Sequence, residues 1–139
     1  RSIWERMYHQ VDSRNANAVR AGFDTLMASR RYRRAGSIAV DFTVHEAWLL
    51  SAIGDTTGAI RQLDLTLEAL PSLNPHAVWE LGQAAAVGRA MAWRAELAHS
   101  RGDVQNASRW ARGVLDLWKN ADPALEPTKA RIRAIAGAN

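Results

Sequence analysis

A glycine–aspartate pair occurs twice in this chain, each time between two segments whose apolar residues recur at helical spacing. The pairs are Gly54–Asp55 and Gly102–Asp103. Glycine readily adopts the positive φ that ends a helix, and aspartate is a good cap for the helix that follows. Each pair therefore predicts a helix, a tight turn and a second helix that runs antiparallel to the first.

The two turns belong to a longer internal similarity. Shifting the sequence by 48 residues aligns several identical residues within 29 positions, as expected for a structural repeat. Small Ala59 and Ala107 fall one turn into the second helix, where a larger side chain would push the paired helices apart. Ala47, Leu49, Gly54, Asp55, Ala59, Leu67 and Pro75 align with Ala95, Leu97, Gly102, Asp103, Ala107, Leu115 and Pro123.

The rest of the chain also has helical patterns. The only cluster of β-branched and aromatic residues, SIAVDFTV at 37–44, continues without a turn into the helical pattern HEAWLLSAI. Asn74–Pro75 and Asp122–Pro123 each combine a capping residue with a proline, as helix N-termini do. We therefore predict an all-α chain of about seven helices. They cover residues 2–11, 14–30, 37–53, 56–70, 75–101, 104–120 and 127–137.

The segment AWLLSAIGDTTGAIRQLDLTLEALP, residues 47–71, resembles a tetratricopeptide repeat. The family's turn glycine, small packing residue, large packing residue, second small residue and closing proline match Gly54, Ala59, Leu63, Thr66 and Pro71. In the next unit the matching residues are Gly102, Ala107, Ala111 and Val114. The chain departs from the family in its 48-residue period, since the family period is about 34. The chain also departs from the family at the sites of the first helix that usually hold large residues. These sites are occupied by Thr43, Glu46, Met91 and Arg94.

The resemblance implies a short α-solenoid of stacked antiparallel helix pairs, forming one domain over residues 1–139. Its units would span residues 2–30, 37–71 and 75–120, followed by a capping helix at 127–137. In the first unit, Asp12 and Ala16 are the expected turn and packing residues. Glycines weaken the long helix of the last unit, so we expect either a close helix contact or a bend there. The contact would involve Gly82, Ala85 and Gly88.

Tetratricopeptide proteins bind peptides or partner helices in a groove lined by the first helix of each repeat. The resemblance therefore implies a non-enzymatic module that binds a protein or peptide partner. The family's groove positions fall on Asp41, Val44, His45, Trp48 and Ser51 in one unit, and on Arg89, Ala92, Trp93, Glu96 and His99 in the next. Tryptophan and charged residues of this kind are common in binding hot spots. The other tryptophans are expected in the core, namely Trp4, Trp79, Trp110 and Trp118.

Two other functions fit the sequence. One is nucleic-acid binding, because the segment SRRYRRAGS at 29–37 combines guanidinium groups with a tyrosine that could stack on an unpaired base. Its residues are Arg30, Arg31, Tyr32, Arg33 and Arg34. Residues 1–35 carry a net charge of +5 and the remainder −1, but no recognition motif surrounds the cluster, and cations are favoured at a helix C-terminus in any case. The other is a purely structural role in stacking or self-association, including a homo-oligomer.

The sequence predicts no enzymatic activity, cofactor or metal site. HEAWL at 45–49 begins like a zinc-protease motif but has Leu49 in place of the second histidine. GDTTG follows a helix and lacks the lysine of a phosphate-binding loop. No cysteine, signal peptide or membrane-spanning run is present, so we expect a soluble cytoplasmic protein, with the periplasm also compatible. Many alanines and few lysines suggest a bacterial source, and similar repeats occur near the C-termini of large bacterial signalling proteins, of which this chain would be a segment.

Overall fold

The structure is a computed structural model that describes residues 3–30, 40–72 and 81–137. Seven α-helices lie in these ranges, with two short 3₁₀ helices at Leu70–Ser72 and Pro123–Leu125. The α-helices are α1 (Ile3–Asp12), α2 (Ala16–Arg30), α3 (Val40–Ala52), α4 (Thr56–Leu67), α5 (Leu81–Ser100), α6 (Val104–Leu117) and α7 (Glu126–Gly137). No β-strand occurs within the described ranges. The all-α prediction is confirmed, and the predicted starts of the third and fifth helices, at 37 and 75, lie outside those ranges.

The helices fall into two compact units, Arg1–Ala77 and Val78–Asn139. In the first unit α1 packs against α2 and α3 packs against α4, while α3 also contacts both α1 and α2. In the second unit α5 packs against α6, and α7 contacts both of them. We refer to α1/α2, α3/α4 and α5/α6 as the three helix pairs. The single repeat domain over residues 1–139 stays a prediction.

The turns within the three helix pairs share one backbone pattern. Each contains a residue with positive φ, which is +56° at Arg14, +83° at Gly54 and +72° at Gly102. The amide of this residue donates to the carbonyl three residues earlier, and the next amide donates to the carbonyl five residues earlier. These hydrogen bonds are Arg14 N to Val11 O, Asn15 N to Gln10 O, Gly54 N to Ser51 O, Asp55 N to Leu50 O, Gly102 N to His99 O and Asp103 N to Ala98 O, all 2.8–3.0 Å.

The residue after each positive φ caps the second helix of its pair. Asn15, Asp55 and Asp103 each accept a hydrogen bond through a side-chain oxygen from the amide three residues later, over 2.8–3.2 Å. The Gly58 amide lowers the pKa of the Asp55 carboxyl, and the guanidinium of Arg20, 3.0 Å away, lowers it further. The Asn106 side chain and amide lower the pKa of Asp103. Both predicted turns and both aspartate caps are therefore confirmed.

The turn and packing residues predicted for the first unit are wrong. Asp12 is the last residue of α1, and Ala16 is exposed. The turn is instead at Arg14, and the small packing position is occupied by Val19, which is fully buried. An arginine has no intrinsic preference for positive φ, so nothing in the residue type indicated where this turn lies. The first and second turns are consequently 40 residues apart rather than 48.

The shared turn allows a direct test of backbone strain. Replacing Gly102 with alanine should lower the free energy of unfolding by about 1 to 2 kcal/mol, because a non-glycine residue pays that much for a left-handed conformation. A Cβ there would meet no atom within 4 Å, so steric contact adds nothing. Arg14→Gly should raise stability by about 0.5 to 1 kcal/mol through relief of the same strain, after allowing for glycine's greater unfolded-state entropy.

Urea denaturation measures both changes, and Gly137→Ala is the matched control. Gly137 lies at the end of α7, and a Cβ there would also meet nothing within 4 Å. Since its φ is not positive, alanine should be neutral or slightly stabilising at that position. Equal changes in the free energy of unfolding for Gly102→Ala and Gly137→Ala would show that the turn does not strain a non-glycine residue.

Equivalent positions in the three pairs make up the contact between their helices. Counted from the positive-φ residue, the buried positions are seven before it (Met7, Ala47, Ala95), five after it (Val19, Ala59, Ala107) and twelve after it (Leu26, Thr66, Val114). At the position eight residues after it, the side chains differ in size: the residue is Gly22 in the first pair, Gln62 in the second and Trp110 in the third. In the first pair, Met7 lies directly over Gly22, because a Cβ on Gly22 would come 2.8 Å from Cγ of Met7. In the first pair, the large residue is therefore on the first helix and the small residue on the second. In the other two pairs the arrangement is reversed.

The core of the second pair contains a polar seam. Thr43 and Glu46 of α3, together with Gln62 and Thr66 of α4, are all buried, and Glu46 is 0% exposed. The Gln62 amide donates to the Glu46 carboxylate, and the Thr66 hydroxyl donates to Oγ1 of Thr43 over 3.0 Å. Thr43 and Glu46 occupy the first-helix sites where the sequence departs from the tetratricopeptide pattern. The departure is therefore matched by polar partners on the second helix.

The close contact predicted along the long helix α5 is found at one of its glycines. An added Cβ on Gly88 would lie 2.7 Å from Nε1 of Trp118, so a neighbouring side chain packs closely there, as predicted. The contact predicted at Ala85 is wrong, because that residue is exposed. Gly82 lies within α5, but its surroundings are outside the described side chains. Trp110 is buried as expected, while Trp118 is only half-buried, and the Trp4 side chain and Trp79 lie outside the described residues.

Candidate docking surface on α1 and α3

The groove residues predicted on α3 lie at or near the surface. His45 and Trp48 are exposed, and Val44 and Ser51 are half-buried. Trp48 keeps 44% of its surface accessible, which is a large exposed area for a tryptophan. Asp41 belongs to α3, but its side chain lies outside the described residues. These positions recur every three or four residues along α3, so they share one side of the helix.

Tyr8 of α1 completes this surface. The Tyr8 and Trp48 ring centroids are 5.4 Å apart and the ring planes are inclined by 38°, within the range of favourable aromatic pairs. Burial against its neighbours raises the pKa of the Tyr8 hydroxyl, so the phenol stays neutral at physiological pH. Tyr8 and Trp48 also occupy the same position in their helix pairs, six residues before the positive-φ residue. Tyr8 is not among the predicted groove residues because the first turn was expected at Asp12 and lies at Arg14.

Two carboxylates flank the aromatic pair on α1. Glu5 lies three residues before Tyr8 and Asp12 four residues after it, so both project on the same side of the helix as Tyr8. Both are exposed. We call the surface formed by Glu5, Tyr8, Asp12, His45 and Trp48 the α1–α3 face.

A separate cleft of about 300 Å³ lies between α1 and α2. Gly22, at the position that holds Gln62 or Trp110 in the other pairs, is part of its lining together with Met7. Among the described residues that line it, the one charged group is Arg6, and the others are Met7, Gln10, Ala18, Ala21, Gly22 and Thr25.

The predicted groove residues of α5 belong to the second unit and differ from those of α3. Arg89 and His99 are exposed, Trp93 is half-buried and Ala92 is buried, so Ala92 is not open to a partner. Glu96 occupies the position equivalent to Trp48, and its carboxylate accepts a hydrogen bond from Nε of Arg131 of α7 over 2.7 Å. The chain's own last helix thus already provides a partner for this position.

The alternative basic patch lies almost entirely outside the described residues. Arg31, Tyr32, Arg33 and Arg34 are not described, and Arg30 is the last residue of α2, with its side chain outside the description. Nucleic-acid binding through this segment stays a prediction. Within the described ranges, no three metal-ligating side chains come together, and none of the helices there has the length and apolar character needed to cross a membrane.

Comparison with known proteins gives no relative for this chain, since no family model, curated protein or solved structure matches it.

Proposed function

We propose that the chain is a non-enzymatic module that binds a protein or peptide partner, and that the α1–α3 face is its docking surface. The observation that carries this proposal is the exposure of Trp48 beside Tyr8. Full burial of a large apolar side chain provides roughly 1.5 to 3 kcal/mol, and the exposed part of Trp48 leaves a fraction of this free energy unused. Exposed tryptophan and tyrosine that pack together are the residues that most often anchor a partner.

The arrangement of the helices supports a tetratricopeptide-like stack as the scaffold. The same turn occurs in all three pairs, and α3 contacts both helices of the preceding pair, as α7 does in the second unit. In a solenoid of antiparallel pairs, each new first helix would make these contacts, and the first helices would line one side. Tyr8 and Trp48, at equivalent positions of successive first helices, would then lie in the groove. We therefore assign docking to α1 and α3 and give Arg89, Trp93, Glu96 and His99 of α5 a lesser part.

Selection of ligands from a display library of random peptides tests the proposal. Against the wild-type chain it should give peptides that bind reversibly, and Trp48→Ala should weaken their binding at least about tenfold, as expected for a hot-spot residue. The same substitution should change the free energy of unfolding by only about 1 kcal/mol. Binding is measured by titration calorimetry and stability by urea denaturation.

Leu65→Ala is the matched control. Leu65 is an exposed apolar residue on α4, 56% accessible, and lies outside the α1–α3 face. Leu65→Ala should leave binding of the selected peptides unchanged. If Trp48→Ala unfolds the chain, Trp48→Leu keeps an apolar contact for Tyr8 while removing the indole, and the same loss of binding is expected. Peptides that bind Trp48→Ala and Trp48→Leu as well as the wild type would overturn the proposal.

A further inference from the structure

We propose that the α1–α3 face recognises an arginine side chain, so that the partner segment is a basic peptide; this inference rests on the proposed function. Three features of the described residues support it. They are the aromatic pair, the carboxylates around it, and two arginine contacts within the chain, one with an indole ring and one with a carboxylate.

The aromatic pair provides a surface for a cation. Tryptophan is the strongest cation–π acceptor among the side chains, and Trp48 retains a large accessible area beside Tyr8. A guanidinium is planar and weakly hydrated, so it stacks on such rings better than an ammonium does. The chain contains one such contact already, with the guanidinium carbon of Arg109 4.5 Å from the Trp110 ring centroid.

The charges of the α1–α3 face favour a cationic ligand. Glu5 and Asp12 lie one helical turn on either side of Tyr8 and are exposed. No lysine or arginine occurs in α3, and the one arginine of α1, Arg6, lines the α1/α2 cleft. The one basic side chain that α3 adds to the face is the exposed imidazole of His45. Among the described residues, the α1–α3 face thus includes two carboxylates and neither a lysine nor an arginine, on a chain whose net charge is +4.

The second unit shows how an arginine fits at this position. Glu96 is equivalent to Trp48, and there Nε of Arg131 donates to the carboxylate over 2.7 Å. An arginine from a neighbouring segment therefore reaches this position of a first helix when an acceptor is present. On the α1–α3 face the acceptor would be the indole of Trp48, with Glu5 and Asp12 supplying the negative charge.

The peptides selected from the random display library provide the test. We expect ligands that depend on Trp48 to be enriched in arginine, and replacement of that arginine by citrulline, which keeps its shape and loses its charge, should weaken binding at least about tenfold. Glu5→Gln and Asp12→Asn should each weaken binding about threefold and reduce its salt dependence. Asp24→Asn, which removes an exposed carboxylate from α2, is the control and should leave binding unchanged.

The outcomes separate this inference from the proposed function. Trp48-dependent peptides that are apolar or acidic, or that bind equally well with citrulline, would overturn the arginine assignment and leave the docking surface intact. Failure to select any Trp48-dependent peptide would overturn both. Folding of each variant is checked by its circular dichroism spectrum.

Discussion

Replacing Met7 with alanine is expected to lower the free energy of unfolding by about 2 to 5 kcal/mol, the usual cost of truncating a buried methionine. Met7 is 2% exposed and packs in the core of the first unit with Val19, Leu26 and Leu49. Gly22→Gln alone is also expected to be unfavourable, by about 1 to 3 kcal/mol, because its Cβ would lie 2.8 Å from Cγ of Met7.

The two substitutions together should cost less than their sum by at least about 1 kcal/mol, the coupling expected between residues in contact. The double variant has the same residues at these two positions as the second pair, where Ala47 precedes the turn and Gln62 follows it. Urea denaturation of the four chains of this double-mutant cycle measures the coupling. Met91→Ala combined with Gly22→Gln is the control, because Met91 lies over Gly113 and not over Gly22, and this combination should be additive. Additive effects of Met7→Ala and Gly22→Gln would show that the exchange of sizes between the pairs is accidental.

The turns show which parts of the fold the sequence could predict. Gly54 and Gly102 were identified because glycine is the residue that accepts positive φ without strain, and the aspartate after each is a strong cap. The first turn has the same hydrogen bonds, and Asn15 is also a good cap. Its positive φ falls on Arg14, however, a residue type that gives no local signal of that conformation.

Of the aromatic residues of the α1–α3 face, only Trp48 was predicted at the surface. Trp48 was placed on the surface through the register of its turn, and the structure finds it exposed. Tyr8 was missed because its register depends on the turn at Arg14. Once that turn is known, Tyr8 falls at the position of Trp48. A self-alignment does not reveal this register, because residues 3–30 shifted by 40 match only at Asp24 and Asp64.

Contacts between distant side chains could not be read from the sequence. Glu96 was predicted as an open groove residue, but Arg131, which lies 35 residues later, bonds to it. Thr43 and Glu46 were recognised only as departures from the tetratricopeptide pattern. Their burial depends on Gln62 and Thr66 of the partner helix, and a helical pattern on one segment does not specify which polar groups another segment supplies.

The polar seam leads to the second prediction of large effect. Gln62→Leu is expected to lower the free energy of unfolding by about 2 to 4 kcal/mol, because it removes an amide donor from a fully buried carboxylate. Combining it with Glu46→Met should recover part of this loss, since the carboxylate that Gln62→Leu leaves without its amide donor is then absent. Urea denaturation of the single and double variants makes the comparison.

Thr66→Val provides the matched control within the same seam. It removes the neutral hydrogen bond to Thr43 and introduces the residue that the third pair has at this position, Val114. Its cost should be about 1 kcal/mol, the net worth of a neutral hydrogen bond. A Gln62→Leu variant no less stable than Thr66→Val would mean that the Glu46 carboxylate does not depend on Gln62. The seam would then contribute little to holding α3, and with it Trp48, in place. A larger loss, recovered in part by Glu46→Met, would show that the buried carboxylate requires its partner on α4.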